Sequence, residues 1–545
     1  MANSYSGMSW RKRTAALIAT AALGGAMAVG AVAPASAWAE TGTVTIVPQA
    51  NPDATYQAFQ LFKADITPEG NAQTVAWGTG IATGQQNAIA TQLDALTENG
   101  YTAWLKDKGL TSANDKVNPQ NALDFISLKI SESGGDATPT KIVNANSFAQ
   151  KFAKWLQTES KITFGTATAN TAFTADEGYY LFVTDPKSLS EGDVATAPIW
   201  FALGSSTKTI QEKATAPTVD KDVNEQGGQE AGDLEIGDVL PFKVTATLPS
   251  NYGTYDTYKM VLTDTPTNLA IKEGVVVKAD GQDITKAEGV TVQIAQGGTK
   301  LTVTINDLKV AYKNATAATT VTVEYKAELL PGASTNPGGN KNEVKYEFSN
   351  NPNGTDLGEV TDKPVPVYTF LLDMLKVDEK TNEALQGAGF SIKNANDKYY
   401  NKDTKKWDLD KATAEQDANL LTTDESGKIA VTGLASGTYT LTEVKAPKGY
   451  EAQEGQTLTF TVNVEYNQDG TIKDGAFTVT DASGLKNEFK LNANTGTITA
   501  TVKNNKQLTL AMTGAEGVGL AGVAVLGLGM AWYLAGKRRK NSDQA

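Results

Sequence analysis

Between residues 217 and 507 the chain repeats one pattern: short runs rich in Val, Thr, Ile, Tyr and Phe, separated by Gly, Asn and Asp. Strand side chains alternate sides, so each run offers one row to a core and the other to water. Short alternating runs between turn residues are the signature of a β-sandwich. Several inward rows, however, contain a polar residue. In "YTLTEVKAPKGYE" (439–451), Tyr439, Leu441 and Glu443 share a face. In "FLLDMLKVD", Phe370, Leu372 and Met374 lead to Lys376, and in "TITATVKNN", Ile498, Ala500 and Val502 lead to Asn504. The preceding segment repeats the arrangement: Val219, Lys221 and Val223; Tyr258, Met260, Leu262 and Asp264; Asn342, Val344, Tyr346 and Phe348. A lone buried charge is expensive, so each set of Lys, acid and Asn needs a common explanation.

The chemistry open to these residues is narrow. The chain has no Cys and no His, which removes disulfides, thiolate nucleophiles, the commonest transition-metal ligand and the usual general base. Burial favours the neutral forms of both lysine and carboxylic acid. A neutral lysine is a nucleophile, and a protonated acid can polarise the asparagine carbonyl. Amide exchange with loss of ammonia then gives a Lys–Asn isopeptide bond, with Glu443 and Asp264 as the catalytic acids. Positioning by the fold supplies effective molarities of roughly 10⁵–10⁸ M, so no enzyme, cofactor or metal is needed. A buried ion pair is the competing reading. Two such sets in one cysteine-free chain favour the bond.

With 545 residues, a net charge of −13 and a pI near 4.8, the chain is long enough for several domains and poorly suited to nucleic acid. Its start has a basic patch (Arg11, Lys12, Arg13), an apolar run and small residues fitting signal-peptide cleavage after Ala39 or Ala37. Near its end lie Leu510, Ala511, Met512, Thr513 and Gly514, then an apolar run over 518–535 and the basic residues Lys537 to Lys540. That run is long enough for a transmembrane helix in the precursor, with the body of the chain outside. Pro217, Pro364 and Pro366 mark joints. The expected layout is 1–39 signal peptide, 40–216 mixed α/β domain, 217–365 and 366–507 Ig-like sandwiches, and 508–545 terminal signal. The whole is mainly β. Within the first domain, 87–107 and 146–160 have helical spacing, whereas 43–49, 55–65, 179–185 and 197–203 read as strands.

The pentapeptide, apolar stretch and basic tail resemble a sortase cell-wall sorting signal of Gram-positive bacteria, with Ala511 where Pro is usual. "KVDEKTNEALQGAGFSI" followed by "GTYTLTEVKAPKGYE" resembles a Cna B-type domain of sortase-assembled major pilins, Tyr439, Leu441, Glu443, Ala446, Pro447, Gly449 and Tyr450 matching its E-box. The middle segment resembles the middle domain of the same pilins. These resemblances imply cross-links Lys376–Asn504 and Lys221–Asn342, with Asn505 and Asn350 as fallback acceptors. They also imply an exposed lysine before the middle domain that sortase joins to Thr513 of another subunit. Lys213 is the best candidate by position, then Lys208, although Gln211 and Glu212 replace the usual Tyr-Pro.

The resulting expectation is a wall-anchored pilus shaft subunit supporting adhesion. Its partners would be sortase, other copies of itself, ancillary pilins, peptidoglycan and a host glycan or matrix ligand. A monomeric wall-anchored adhesin or basal pilin would share everything but the use of Lys213. A surface hydrolase built on paired carboxylates is disfavoured, because no acid pair sits in a recognisable cleft motif.

Overall fold

A computed structural model describes residues 40–49, 51–67, 72–132, 144–212, 214–223, 231–336, 338–450, 457–481 and 488–506. The expectations for Ala39, Lys213, the pentapeptide 510–514 and the apolar run 518–535 lie outside these residues. Among the described residues no helix is long and apolar enough to cross a membrane.

The first module is mixed. Thr41–Val47 lies between Ala172–Asp176 and Thr207–Gln211 in one sheet. A second sheet runs in the order Ala72–Trp77, Thr55–Ile66, Gly178–Thr184, Ile199–Leu203, with Gly165–Thr168 also paired to Thr55–Ile66. Helices pack on that second sheet through Ile89, Leu93, Phe125, Phe152 and Leu156. The helical stretch 87–107 is two helices, Thr83–Leu96 and Gly100–Asp107. Glu98 and Asn99 between them have φ of 54° and 66°, a left-handed bend that asparagine tolerates and a continuous helix does not. The helix Pro119–Glu132, with Ala122, Leu123, Phe125 and Ile126 buried, is an addition to the elements expected from sequence.

The middle module is a two-sheet sandwich. One sheet contains Val365–Tyr368, Asn340–Ser349, Met260–Pro266, Leu301–Ile305 and Val290–Ile294; the facing sheet contains Val276–Ala279, Thr320–Leu329, Val239–Thr247 and Val219–Asp222. Their alternate side chains form one core, including Phe242, Val244, Met260, Leu262, Val323, Tyr346 and Phe348. Val365–Tyr368 crosses the 365/366 joint suggested by the prolines and pairs with Asn340–Ser349. Only Thr369 separates it from Phe370–Asp378, the first strand of the next module.

In the last module Lys428–Leu434, Phe370–Asp378, Thr497–Asn504 and Glu488–Asn492 face a second sheet built around Gly389–Lys393, Gly437–Lys445 and Thr457–Asn463. First and last strands lie side by side and parallel, with Lys376 opposite Val502 and Asp378 opposite Asn504. Lys376 and Asn504 are therefore diagonal neighbours on one face.

Candidate functional site: two buried lysine clusters

Alternation delivers the polar ends of the rows to the sandwich interiors. In Phe370–Asp378, residues 370, 372, 374 and 376 are all buried; in Gly437–Lys445, Tyr439, Leu441 and Glu443 are. Asn504 ends the buried row of Thr497–Asn504, whereas Asn505 is exposed. Glu443 comes from the facing sheet, opposite Phe390. Lys376 Nζ donates to Asn504 Oδ1 at 2.6 Å, and Asn504 Nδ2 donates to Glu443 Oε1 at 2.8 Å. Glu443 Oε2 lies 3.5 Å from Lys376 Nζ and has no hydrogen-bond donor. The Phe390 ring stands 6.0 Å from Nζ.

Neither charge is comfortable here. Loss of hydration pushes the Lys376 ammonium down to about 8, against the opposing pull of Glu443. The same loss of water pushes Glu443 above the usual carboxylate range, with Lys376 and Asn504 working the other way. Burial thus works against the charged form of each partner, and the Lys376 amine lies against the Asn504 amide.

The middle cluster uses the same residue types with a different layout. Lys221 is fully buried on Val219–Asp222, and its Nζ is hydrogen-bonded to Asp264 Oδ2 from the facing sheet. Asn342 stands on the strand beside Asp264, opposite Pro266, so acid and amide share a sheet and the lysine crosses the core. In the C-terminal module lysine and amide share the sheet and the acid crosses. A fourth residue, not singled out from sequence, joins the middle cluster: Tyr325 Oη donates to Asp264 Oδ2 at 2.6 Å and accepts from Asn342 Nδ2 at 2.9 Å. Its signal lies in "TVTVEYKAEL", where Tyr325 continues the inward row of Val321 and Val323. Burial drives Lys221 down to about 8, with Asp264 opposing, while Phe242 and Tyr325 present their rings to Nζ. Asp264 Oδ1 and Asn342 Oδ1 are buried without hydrogen-bond partners.

Asn350 is buried elsewhere, its carbonyl accepting from Ala195 N–H at the first joint. Lys208 is exposed on Thr207–Gln211, opposite Val44. Glu212 is buried, taking a hydrogen bond from Tyr56 Oη at 2.9 Å.

Residues 371–476 match the family model of the SpaA prealbumin-like fold domain. The last sandwich is therefore similar to that domain over most of its length. A curated relative, the trypsin-resistant surface T6 protein of Streptococcus pyogenes, is 26% identical over 284 residues, 48% of this chain and 46% of that protein. The chain thus spans about half the length of the curated relative that it matches. The solved T6 backbone pilin of serotype M6 S. pyogenes, described as a modular three-domain structure, superposes with a TM-score of 0.52 at 16% identity, covering 86% of this chain and 99% of that one. The full-length major pilin SpaD of Corynebacterium diphtheriae matches over 86% of this chain and 98% of its own, at 15% identity and a TM-score of 0.44. The chain thus shares the overall fold of the T6 backbone pilin.

Proposed function

We propose that this chain is the shaft subunit of a cell-wall-anchored pilus, polymerised by sortase and strengthened by two self-formed isopeptide bonds. The observation that carries the reading is the contact of Lys376 Nζ with Asn504 at 2.6 Å under the carboxyl of Glu443, together with a second cluster of the same composition. In each, the lysine gives up a proton to the acid and attacks the asparagine Cγ. The carbonyl opens to a tetrahedral adduct, the acid passes its proton on toward Nδ2 and then takes the second proton from the former amine, and ammonia leaves as the carbonyl re-forms. The low polarity that makes the lysine charges unfavourable also keeps water from competing.

Between subunits a second lysine does the work. Sortase would cleave between Thr513 and Gly514 and pass the threonine acyl group to Lys213 of the next subunit, with Lys208 as the alternative acceptor. Housekeeping transfer to peptidoglycan would anchor the finished fibre, where ancillary pilins and host glycan or matrix ligands would meet it. The test is electrophoresis of boiled cell-wall extracts. A ladder of high-mass species that vanishes in Lys213→Ala supports the shaft. A single anchored band in the unaltered strain points instead to a monomeric adhesin or basal pilin.

A further inference from the structure

The two clusters solve one geometrical problem differently. In the C-terminal module a single carboxyl spans both reactants, with Glu443 3.5 Å from Lys376 Nζ and 2.8 Å from Asn504 Nδ2. Asp264 has one methylene fewer. It holds Lys221, but the amide nitrogen of Asn342 is bonded to Tyr325 instead. The phenol stands between acid and amide, 2.6 Å from one and 2.9 Å from the other. We propose that Tyr325 is a catalytic residue of the Lys221–Asn342 bond, its hydroxyl relaying a proton from Asp264 to the departing nitrogen. This rests on the reading that Lys221 and Asn342 are joined.

The proton balance closes through these groups. Lys221, deprotonated by Asp264, forms a bond from Nζ to Asn342 Cγ, and the second Nζ proton passes to Asp264 once that carboxyl has given up the first. As the Cγ–Nδ2 bond breaks, the Tyr325 hydroxyl hands its proton to Nδ2 and takes the replacement from Asp264. The products are one secondary amide and one ammonia; no oxidant or reductant enters. The hydroxyl oxygen is held between its two partners, because the buried Tyr325 ring is stacked on Phe242 with centroids 5.4 Å apart and planes 15° apart. Burial and the neighbouring Asp264 push the phenol far above its ordinary value, which opposes accumulation of a free phenolate and fits a proton that leaves only as another arrives.

The full chain, recovered unlinked from inclusion bodies in denaturant, is refolded and quenched at intervals, and bonds are counted by intact mass and peptide mapping. In Tyr325→Phe the Lys376–Asn504 bond should form at the unaltered rate, while the Lys221–Asn342 bond slows by roughly 100-fold or more, the range of general acid–base catalysis. Equal rates for the middle bond in both proteins overturn the proposal. Should the middle module of Tyr325→Phe fail to refold, as judged by protease digestion, 3-fluorotyrosine at 325 keeps the ring in place and acidifies the phenol. A displaced pH profile for the middle bond alone then supports the relay, and an unmoved profile overturns it. Failure of the underlying reading looks different: Lys221 stays unlinked in the unaltered chain.

Discussion

Replacing Glu443 by Gln isolates the worth of the proposed C-terminal bond. The glutamine side chain keeps the shape and can still accept from Asn504 Nδ2, which meets the Glu443 carboxyl at 2.8 Å, but it cannot take the lysine proton. Lys376 and Asn504 should therefore remain separate. They are 128 positions apart in sequence, and on the chain-entropy account of cross-links closing such a loop restricts the unfolded chain by about 5 kcal/mol. A domain of this size shifts its melting temperature by about 2–4 °C per kcal/mol, so the last module should melt roughly 10–20 °C lower. Calorimetry of the ectodomain reads the melting transition, and mass spectrometry shows the variant about 16 Da heavier, about 17 Da for the ammonia it retains less about 1 Da for the Glu-to-Gln exchange. Peptide mapping that recovers the Lys376–Asn504 link in Glu443→Gln would refute the role of the acid. An unlinked variant that melts with the unaltered protein would refute the energetics.

The unaltered ectodomain should weigh about 34 Da less than its sequence, one ammonia for each of two bonds, and the count should fall by one in Lys221→Ala and in Asn504→Ala. The C-terminal bond should form fastest in a pH window: its reactive state carries one proton on the Lys376–Glu443 pair. That state is lost below the raised Glu443 value, where both groups are protonated, and above about 8, where the last proton leaves Lys376. A rate that climbs steadily past about pH 9 in quenched refolding would contradict this. At the second joint, Glu235 accepts from Tyr439 Oη at 2.9 Å and from Asn394 Nδ2 at 2.7 Å. Glu235→Ala strands the Asn394 donor and should destabilise the middle and last modules together by about 1–3 kcal/mol, measured by denaturant unfolding.

Period-two alternation makes most of the sandwich interior legible, because one face of each strand is buried and a register slip would expose the whole row. The same rule places Lys221, Asp264, Asn342, Lys376, Glu443 and Asn504 inside, since a polar residue in an apolar row stands out. Tyr325 escapes it for the converse reason: an inward tyrosine looks like ordinary core, and only its neighbours across the sandwich reveal the hydroxyl's partners. Alternation also says nothing about which sheet a row joins, so the exchange of places between lysine and acid in the two modules is not legible. In the first module the Asn99 bend is hidden inside a helical spacing that continues on both sides of it.

The second joint has no spacer. Thr369, the one residue between Val365–Tyr368 and Phe370–Asp378, is buried, and its hydroxyl donates to Leu434 O at 3.1 Å. Around it, Asp233 accepts from Ser436 Oγ at 2.9 Å and from Tyr466 Oη at 2.6 Å. Swivelling one sandwich on the other would break these bonds and pull a side chain into water, so the pair behaves as a stiff strut. In the proposed pilus, a twist applied at one end of the pair would be delivered almost whole to the other.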